Sequence, residues 1–344
     1  MARPPVPVEQ LDEVLLPYVQ SWRKLQGRRL FLTGGTGTVG PWLLELFCRA
    51  NALWSLDARI LVLSRNPGAF AAKCPHLAAD PAVSFLAGDI RDFPALEGPC
   101  DLVIHGAADT GGDLSYTDLL GHLETIVQGT RHLLDRALEA GAARVLMLSS
   151  GAVYGPQPAD LERIPETFTG APDCLNPGTR YGQGKRMAEH LCMVYRHQFG
   201  LDAVVARGFA LAGPHLPLDS HLALGNFIRD ALAGGPIEVL GDGTPYRSYL
   251  YAADYAMACW LILLEGYPGR AYNVGSGEAV QIGALARLVA DPLGLAVVVR
   301  GSPVPGVPPE RYVPSVQRIQ DELGFRAKID LPETLRRTMD WYRM

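Results

Sequence analysis

Apolar residues fall in short unbroken runs through the first two-thirds of the chain. RLFLT (29–33), RILVL (59–63), VSFLA (83–87), DLVIH (101–105), RVLML (144–148) and DAVVA (202–206) have the length and apolar content of strands. Stretches with helical spacing separate several of them: PWLLELFCRA (41–50), roughly 117–140, and YGQGKRMAEHLCMVYRHQF (181–199). Strands apolar on both faces and alternating with helices predict an α/β fold with a parallel sheet covered on both sides. Ahead of this alternation, LDEVLLPYVQSWRKL places apolar residues at 11, 14, 15, 18, 19 and 22. That is close to helical spacing, so residues 1–27 are expected to be an amphipathic packing segment broken at Pro17. After residue 207 the rhythm changes. GPHLPLD, LAGGPIEVLGDGTPYRS and GSPVPGVPPERYVP are turn-rich and are separated by the helical patterns NFIRDALAG and DYAMACWLILLEG. A smaller second lobe, interleaved with the first, is expected there.

Composition narrows the class only a little. With 48% hydrophobic and 19% charged residues, a disordered chain is excluded. The 31 basic and 36 acidic residues leave a net charge of −5, which excludes nucleic-acid binding by bulk positive charge. A length of 344 residues allows one large or two modest domains. The six cysteines form no C-x-x-C and the eight histidines no H-E-x-x-H, so no metal site is expected. Reduced thiols, no secretory pattern in MARPPVPVEQ and an apolar stretch at 256–264 too short for a bilayer together suggest a cytoplasmic protein.

The chemistry begins at TGGTGTVG (33–40), between the first strand and the first helix. Gly34, Gly35, Gly37 and Gly40 permit a tight turn and close approach of backbone to a pyrophosphate, with Thr38 and Val39 leading into a helix N-terminus. A dinucleotide is therefore expected. The second strand ends in Ser64-Arg65 where an acidic residue would bind the ribose hydroxyl of NAD. An Arg there can pair with a 2′-phosphate, so NADP(H) is favoured, with NAD(H) possible. Asp89-Ile90 and Ala107-Ala108 close the third and fourth strands and are further candidates for cofactor contact. Ser149-Ser150 end the fifth strand, and Tyr181 and Lys185 sit four apart on the following helix. An ammonium on the same helical face is expected to lower the phenol pKa, letting Tyr181 exchange a proton with a sugar oxygen while Ser150 holds that oxygen.

These motifs in this order resemble the extended short-chain dehydrogenase/reductases of the nucleotide-sugar epimerase, dehydratase and reductase kind, over about residues 28–344. The resemblance implies a Rossmann-type doubly wound sheet at 28–206 plus 249–275 and a nucleotide-sugar lobe at 207–248 plus 276–344. Arg207-Gly-Phe-Ala-Leu-Ala-Gly-Pro214 is similar to the family's R-x-F-N-x-x-G-P, with Ala210 in place of the Asn. Asn226 matches a nucleotide contact, and Arg247 and Arg311 match contacts to the diphosphate. With Ser149 and Ser150 they are the expected substrate residues. The resemblance also implies a homodimer through the helices at 117–140 and 181–199.

The resemblance leaves several reactions open, and departures from it discriminate among them. Family dehydratases carry Asp-Glu after the catalytic Thr or Ser, and the related decarboxylases a Glu at the second position; this chain has Gly151-Ala152. Both reactions are therefore disfavoured. Reduction of a nucleotide-diphospho-4-keto-6-deoxysugar by NADPH, with Tyr181 as proton donor, is the preferred expectation. Epimerisation through a retained cofactor is the alternative, and a non-catalytic NADP sensor a remoter one.

Overall fold

The structure is a computed structural model that describes residues 3–108, 118–219 and 222–343. Seven strands form one parallel sheet: β1 (Arg29–Thr33), β2 (Arg59–Ser64), β3 (Val83–Ala87), β4 (Leu102–His105), β5 (Arg144–Ser150), β6 (Asp202–Gly208) and β7 (Ala271–Val274). Their order is β7-β6-β5-β4-β1-β2-β3. The direction of winding reverses between β1 and β4, which opens a crevice at the carboxyl ends of those strands. The expected doubly wound α/β sheet is thus present. The six apolar runs all lie in it, and β7 is a member that the alternation does not flag.

Five helices frame the crevice or the sheet: α1 (Val8–Leu15), α2 (Gly40–Trp54), α3 (Leu119–Glu139), α4 (Arg180–Phe199) and α5 (Ala252–Glu265). Residue 117, where the third helical stretch was expected to start, lies outside the described residues. Strand alternation sorts the core into two layers. Leu30 and Leu32 of β1 face α2 and α5, whereas Phe31 faces the side covered by α3 and α4.

Helix α5 is buried from Ala252 through Leu264. Such a helix needs cover on every side, and the N-terminal segment supplies the outer one. The segment breaks at Pro17 as expected: α1 ends at Leu15 and a tight turn, Leu16–Tyr18, redirects the chain. Trp22 then packs against Trp260 at 5.0 Å between ring centres and against Trp54 at 6.5 Å. Tyr251 donates its hydroxyl to Gln10 at 2.5 Å, and Arg49 grips Asp12 through two 2.7 Å bonds.

Elements between β6 and α5, and after β7, form a separate core around Leu224, Phe227, Ile228, Leu285 and Val289. Beside it, Tyr246–Arg247 pairs in parallel with Arg311–Tyr312 and antiparallel with Val280–Gln281. Among the described residues, no helix is long and apolar enough to cross a membrane, and no group of side chains is arranged to hold a metal ion.

Trp22 is fully buried, so Trp22→Ala is expected to cost ~3–5 kcal/mol of stability. Urea unfolding checks this; a loss below about 1 kcal/mol would show the segment to be dispensable cover.

Candidate active site

A cavity of about 250 Å³ occupies the crevice. Gly34, Gly37, Thr38, Val39 and Gly40 line it from the turn after β1, with Ser64 and Arg65 after β2. Asp89 and Ile90 follow β3, Ala107 and Ala108 follow β4, and Ser149, Tyr181 and Lys185 complete the inner wall. Apart from Gly35, which packs on Val62 and Leu32, the residues expected to touch a cofactor line one space. Thr36, Thr125, Leu148 and Tyr255 line it too. Thr36 lies within the glycine motif but is not one of its glycines, and the other three sit in ordinary helix or strand contexts with no motif around them.

The glycines of the first turn serve different masters. A Cβ on Gly34, whose φ is +76°, would lie 2.4 Å from the carbonyl carbon of Gly106. One on Gly40 would lie 2.1 Å from the Gly35 carbonyl oxygen. Packing alone demands both. A Cβ on Gly37 meets only the Gly34 oxygen, at 3.3 Å, so the protein itself scarcely needs glycine there. Position 37 faces the cavity, and α2 begins at Gly40 with no side chain capping its first amides. Open backbone and uncapped amides fit a bound pyrophosphate.

A buried relay fixes the neighbouring turn. Thr130 donates its hydroxyl to the Ile126 carbonyl, so it accepts from His105 Nε2 at 2.9 Å. His105 Nδ1 is then an acceptor and takes the Thr33 hydroxyl proton at 2.8 Å. Thr33 in turn accepts from the Ala107 amide at 3.2 Å. Burial, with a smaller contribution from the Lys185 charge, lowers the His105 pKa to about 3, so the ring stays neutral and the relay keeps its direction.

Tyr181 and Lys185 share a face of α4 at the end of β5. Lys185 is 2% exposed, donates to the Leu148 carbonyl at 2.8 Å and lies 5.9 Å from the centre of the Tyr181 ring. Burial lowers its pKa to about 8, opposed by the charge of Glu189. The expectation that this ammonium lowers the phenol is not met. Burial dominates and pushes the Tyr181 phenol up, opposed by the Ser150 hydroxyl. Ser150 also accepts from the Ala152 amide at 3.2 Å. Ser149 donates to Glu189 at 2.5 Å, and Glu189 also receives two nitrogens of Arg207. Arg207 continues to the Tyr154 hydroxyl at 2.9 Å, which donates to Asn273 at 2.8 Å. The sequence does not single out Glu189 or Asn273, because each acts through partners on other elements.

The expected substrate residues divide. Asn226 lines a second cavity of about 450 Å³ with Arg229, Asp230, Gly241 and Gly243. The register of the small sheet sets Arg247 opposite Tyr312 and Arg311 opposite Tyr246. Successive residues point to opposite faces, so the two arginines project on different sides. Arg311 lies over the Tyr246 ring at 4.2 Å, while Arg247 sits beside Tyr312 and donates to Glu310 at 3.2 Å. The pairing of both arginines about one diphosphate, expected from their order in the chain, is not what this register presents.

Gly37→Ala is expected to leave the unfolding midpoint nearly unchanged while weakening dinucleotide binding at least tenfold. Gly40→Ala is expected to destabilise the fold itself. Thermal unfolding and titration with NADPH separate the two; equal destabilisation by both would remove the argument for an open position 37.

Residues 30–275 match the NAD dependent epimerase/dehydratase family. The dTDP-glucose 4,6-dehydratase of Streptomyces antibioticus is 31% identical over 319 residues, covering 91% of this chain and 92% of that protein. UDP-glucuronic acid decarboxylase 1 of Arabidopsis thaliana is 26% identical, covering 92% of this chain and 70% of its own length. A solved dTDP-glucose 4,6-dehydratase of Streptomyces venezuelae, with NAD and TYD bound, superposes with a TM-score of 0.76 at 28% identity, over 92% of this chain and 97% of that one. With these matches on a doubly wound sheet, the chain belongs to the NAD dependent epimerase/dehydratase family, within the extended short-chain dehydrogenase/reductases.

Proposed function

We propose that this protein reduces a nucleotide-diphospho-4-keto-6-deoxysugar with NADPH, using Ser150, Tyr181 and Lys185. One observation carries the choice of reaction. Positions 151 and 152 are Gly and Ala, and a Cβ on Gly151 would lie 2.5 Å from the Tyr312 hydroxyl and 2.6 Å from Phe209 Cζ. The elimination that the sequence resemblance assigns to an Asp-Glu pair thus has neither carboxyl nor room for one at 151. The dehydratases among the relatives share the frame, while this departure favours a reaction confined to the carbonyl carbon.

A bound nicotinamide supplies the hydride. Tyr181, kept protonated by burial, gives its proton to the oxygen that becomes the hydroxyl. Ser150 holds that oxygen, and the Lys185 ammonium stabilises the phenolate left behind. Arg65 is exposed at the rim of the first cavity, where its guanidinium suits a 2′-phosphate. On this reading residues 28–206 plus 249–275 hold the cofactor, 207–248 plus 276–344 hold the nucleotide sugar through Asn226 and Arg247, and 1–27 are cover. Arg311 takes part only by reaching around from its own face. Six free cysteines suit a reducing cytoplasm.

The test is a panel of nucleotide-diphospho-4-keto-6-deoxysugars with NADPH and with NADH, followed by loss of reduced-cofactor absorbance. NADPH is expected to be consumed, and Arg65→Ala to weaken NADPH by roughly 10- to 100-fold while leaving NADH nearly unchanged. Interconversion of two nucleotide sugars with no net cofactor consumption would instead establish the epimerase.

We also propose a homodimer through α3 and α4. The helices expose Leu120, Met187 and Val194, which supports an apolar partner surface. Light scattering behind size exclusion should give about twice the chain mass of 37.2 kDa; a monomer would end this reading.

A further inference from the structure

Tyr255 stands in the first turn of α5 and lines the cofactor cavity, though no motif marks it. The residue is 4% exposed, and its hydroxyl has no hydrogen-bond partner among the described residues. Buried hydroxyls ordinarily carry at least one bond, so one left open beside a cavity points to a group that enters the cavity.

The place of the oxygen narrows what that group is. A Cβ on Gly208 would overlap the Tyr255 oxygen and lie 2.9 Å from the ring carbon that bears it. The hydroxyl therefore sits over Gly208, whose register partner on β5 is Ser150. Tyr255 packs in the core layer of α2 and α5, whereas Tyr181 packs against the layer covered by α3 and α4. The two phenols thus flank the β5–β6 end of the cavity from opposite layers, while the glycine turn lies two strands from β5, after β1. A dinucleotide with its pyrophosphate on that turn and its hydride-carrying ring beside Tyr181 brings the nicotinamide between the phenols. The carboxamide is the only hydrogen-bonding group on that ring. We propose that the Tyr255 hydroxyl donates to the carboxamide oxygen of the bound nicotinamide and so fixes the rotation of the ring about its bond to ribose. Burial holds the Tyr255 phenol well above its ordinary pKa, so the proton is there to give. Gly208 is the complement of this phenol, because any side chain there would displace the hydroxyl. The proposal depends on the dinucleotide, which the reductase and epimerase readings share, and not on the choice between them.

The test is calorimetric binding to the full chain of three probes. They are NADP, its thionicotinamide analogue, with sulfur in place of the carboxamide oxygen, and 2′-phospho-ADP-ribose, which lacks the ring. The three counterparts without the 2′-phosphate are run beside them, so the outcome does not hang on the NADP preference. Tyr255→Phe is expected to weaken the nicotinamide dinucleotide roughly five- to tenfold and to leave the ringless probe unchanged. Sulfur is the poorer acceptor, so the thio analogue should bind the unsubstituted protein more weakly than the oxygen form and lose less than about twofold in Tyr255→Phe. Equal weakening of all three probes, or of none, would overturn the proposal. Without ligand, Tyr255→Phe should melt no lower than the unsubstituted protein, because the hydroxyl it removes has no internal partner; a lower midpoint would reveal a structural bond and count against the assignment. The thio comparison on the unsubstituted protein needs no variant to fold, and equal affinity for the oxygen and sulfur forms would equally sink it. Failure of every probe to bind the unsubstituted protein would remove the cofactor reading as well, whereas unchanged affinity in Tyr255→Phe would remove this one alone.

Discussion

Glu189 is the carboxylate on which the catalytic edge depends. It sits one helical turn beyond Lys185 and takes hydrogen bonds from Ser149 and Arg207, which end or follow neighbouring strands. Through Arg207 and Tyr154 the connection reaches Asn273 on β7, whose amide nitrogen donates to the Ile164 and Ser315 carbonyls. One side chain thereby holds α4 in register with β5, β6, β7 and the segment that carries Tyr312. A half-buried pair of this kind costs ~1–3 kcal/mol when one partner is removed, because the other is left charged and unpaired. Its value here is geometric: Lys185 is kept protonated close to Tyr181 by a charge that does not itself enter the cavity wall.

The inner end of the site is built from hydroxyls. Ser150 and Tyr181 stand there with the Lys185 ammonium behind them, and Gly151 and Ala152 lie where the resemblance places carboxyls in an eliminating enzyme. Hydroxyls can each give and take a proton, so such a group can be directional without carrying charge. Anion handling is likewise local. The chain is acidic overall, and on the proposed reading phosphate would be held by an uncapped helix start and by single arginines such as Arg65 at the cavity rim.

The parts of this arrangement legible in the sequence are those written in contiguous residues. Six strands show themselves because their runs are mostly apolar, five of them largely buried and β3 half-exposed at the sheet edge. The strand Ala271–Val274 does not, because four residues with Asn and Tyr among them carry no period. Gly34, Gly37 and Gly40 announce a turn, and Tyr181 with Lys185 announces a helical face. The His105–Thr130 relay and the Glu189–Arg207 pair are invisible by the same logic, since each depends on a partner on a distant element. Arg311 shows the opposite failure. Its order in the chain points to the diphosphate, but a strand of two residues takes its facing from pairing register, and that register turns it onto Tyr246.

The N-terminal cover also bears on how the molecule is made. Gln10 and the residue it bonds, Tyr251, are 241 positions apart. A segment made long before α5 thus waits for that helix before Trp22 has Trp260 to pack against. Until then two apolar surfaces coexist on one nascent chain, a circumstance that favours aggregation. A sequence-distant closure of this sort slows folding more than it adds to the equilibrium cost.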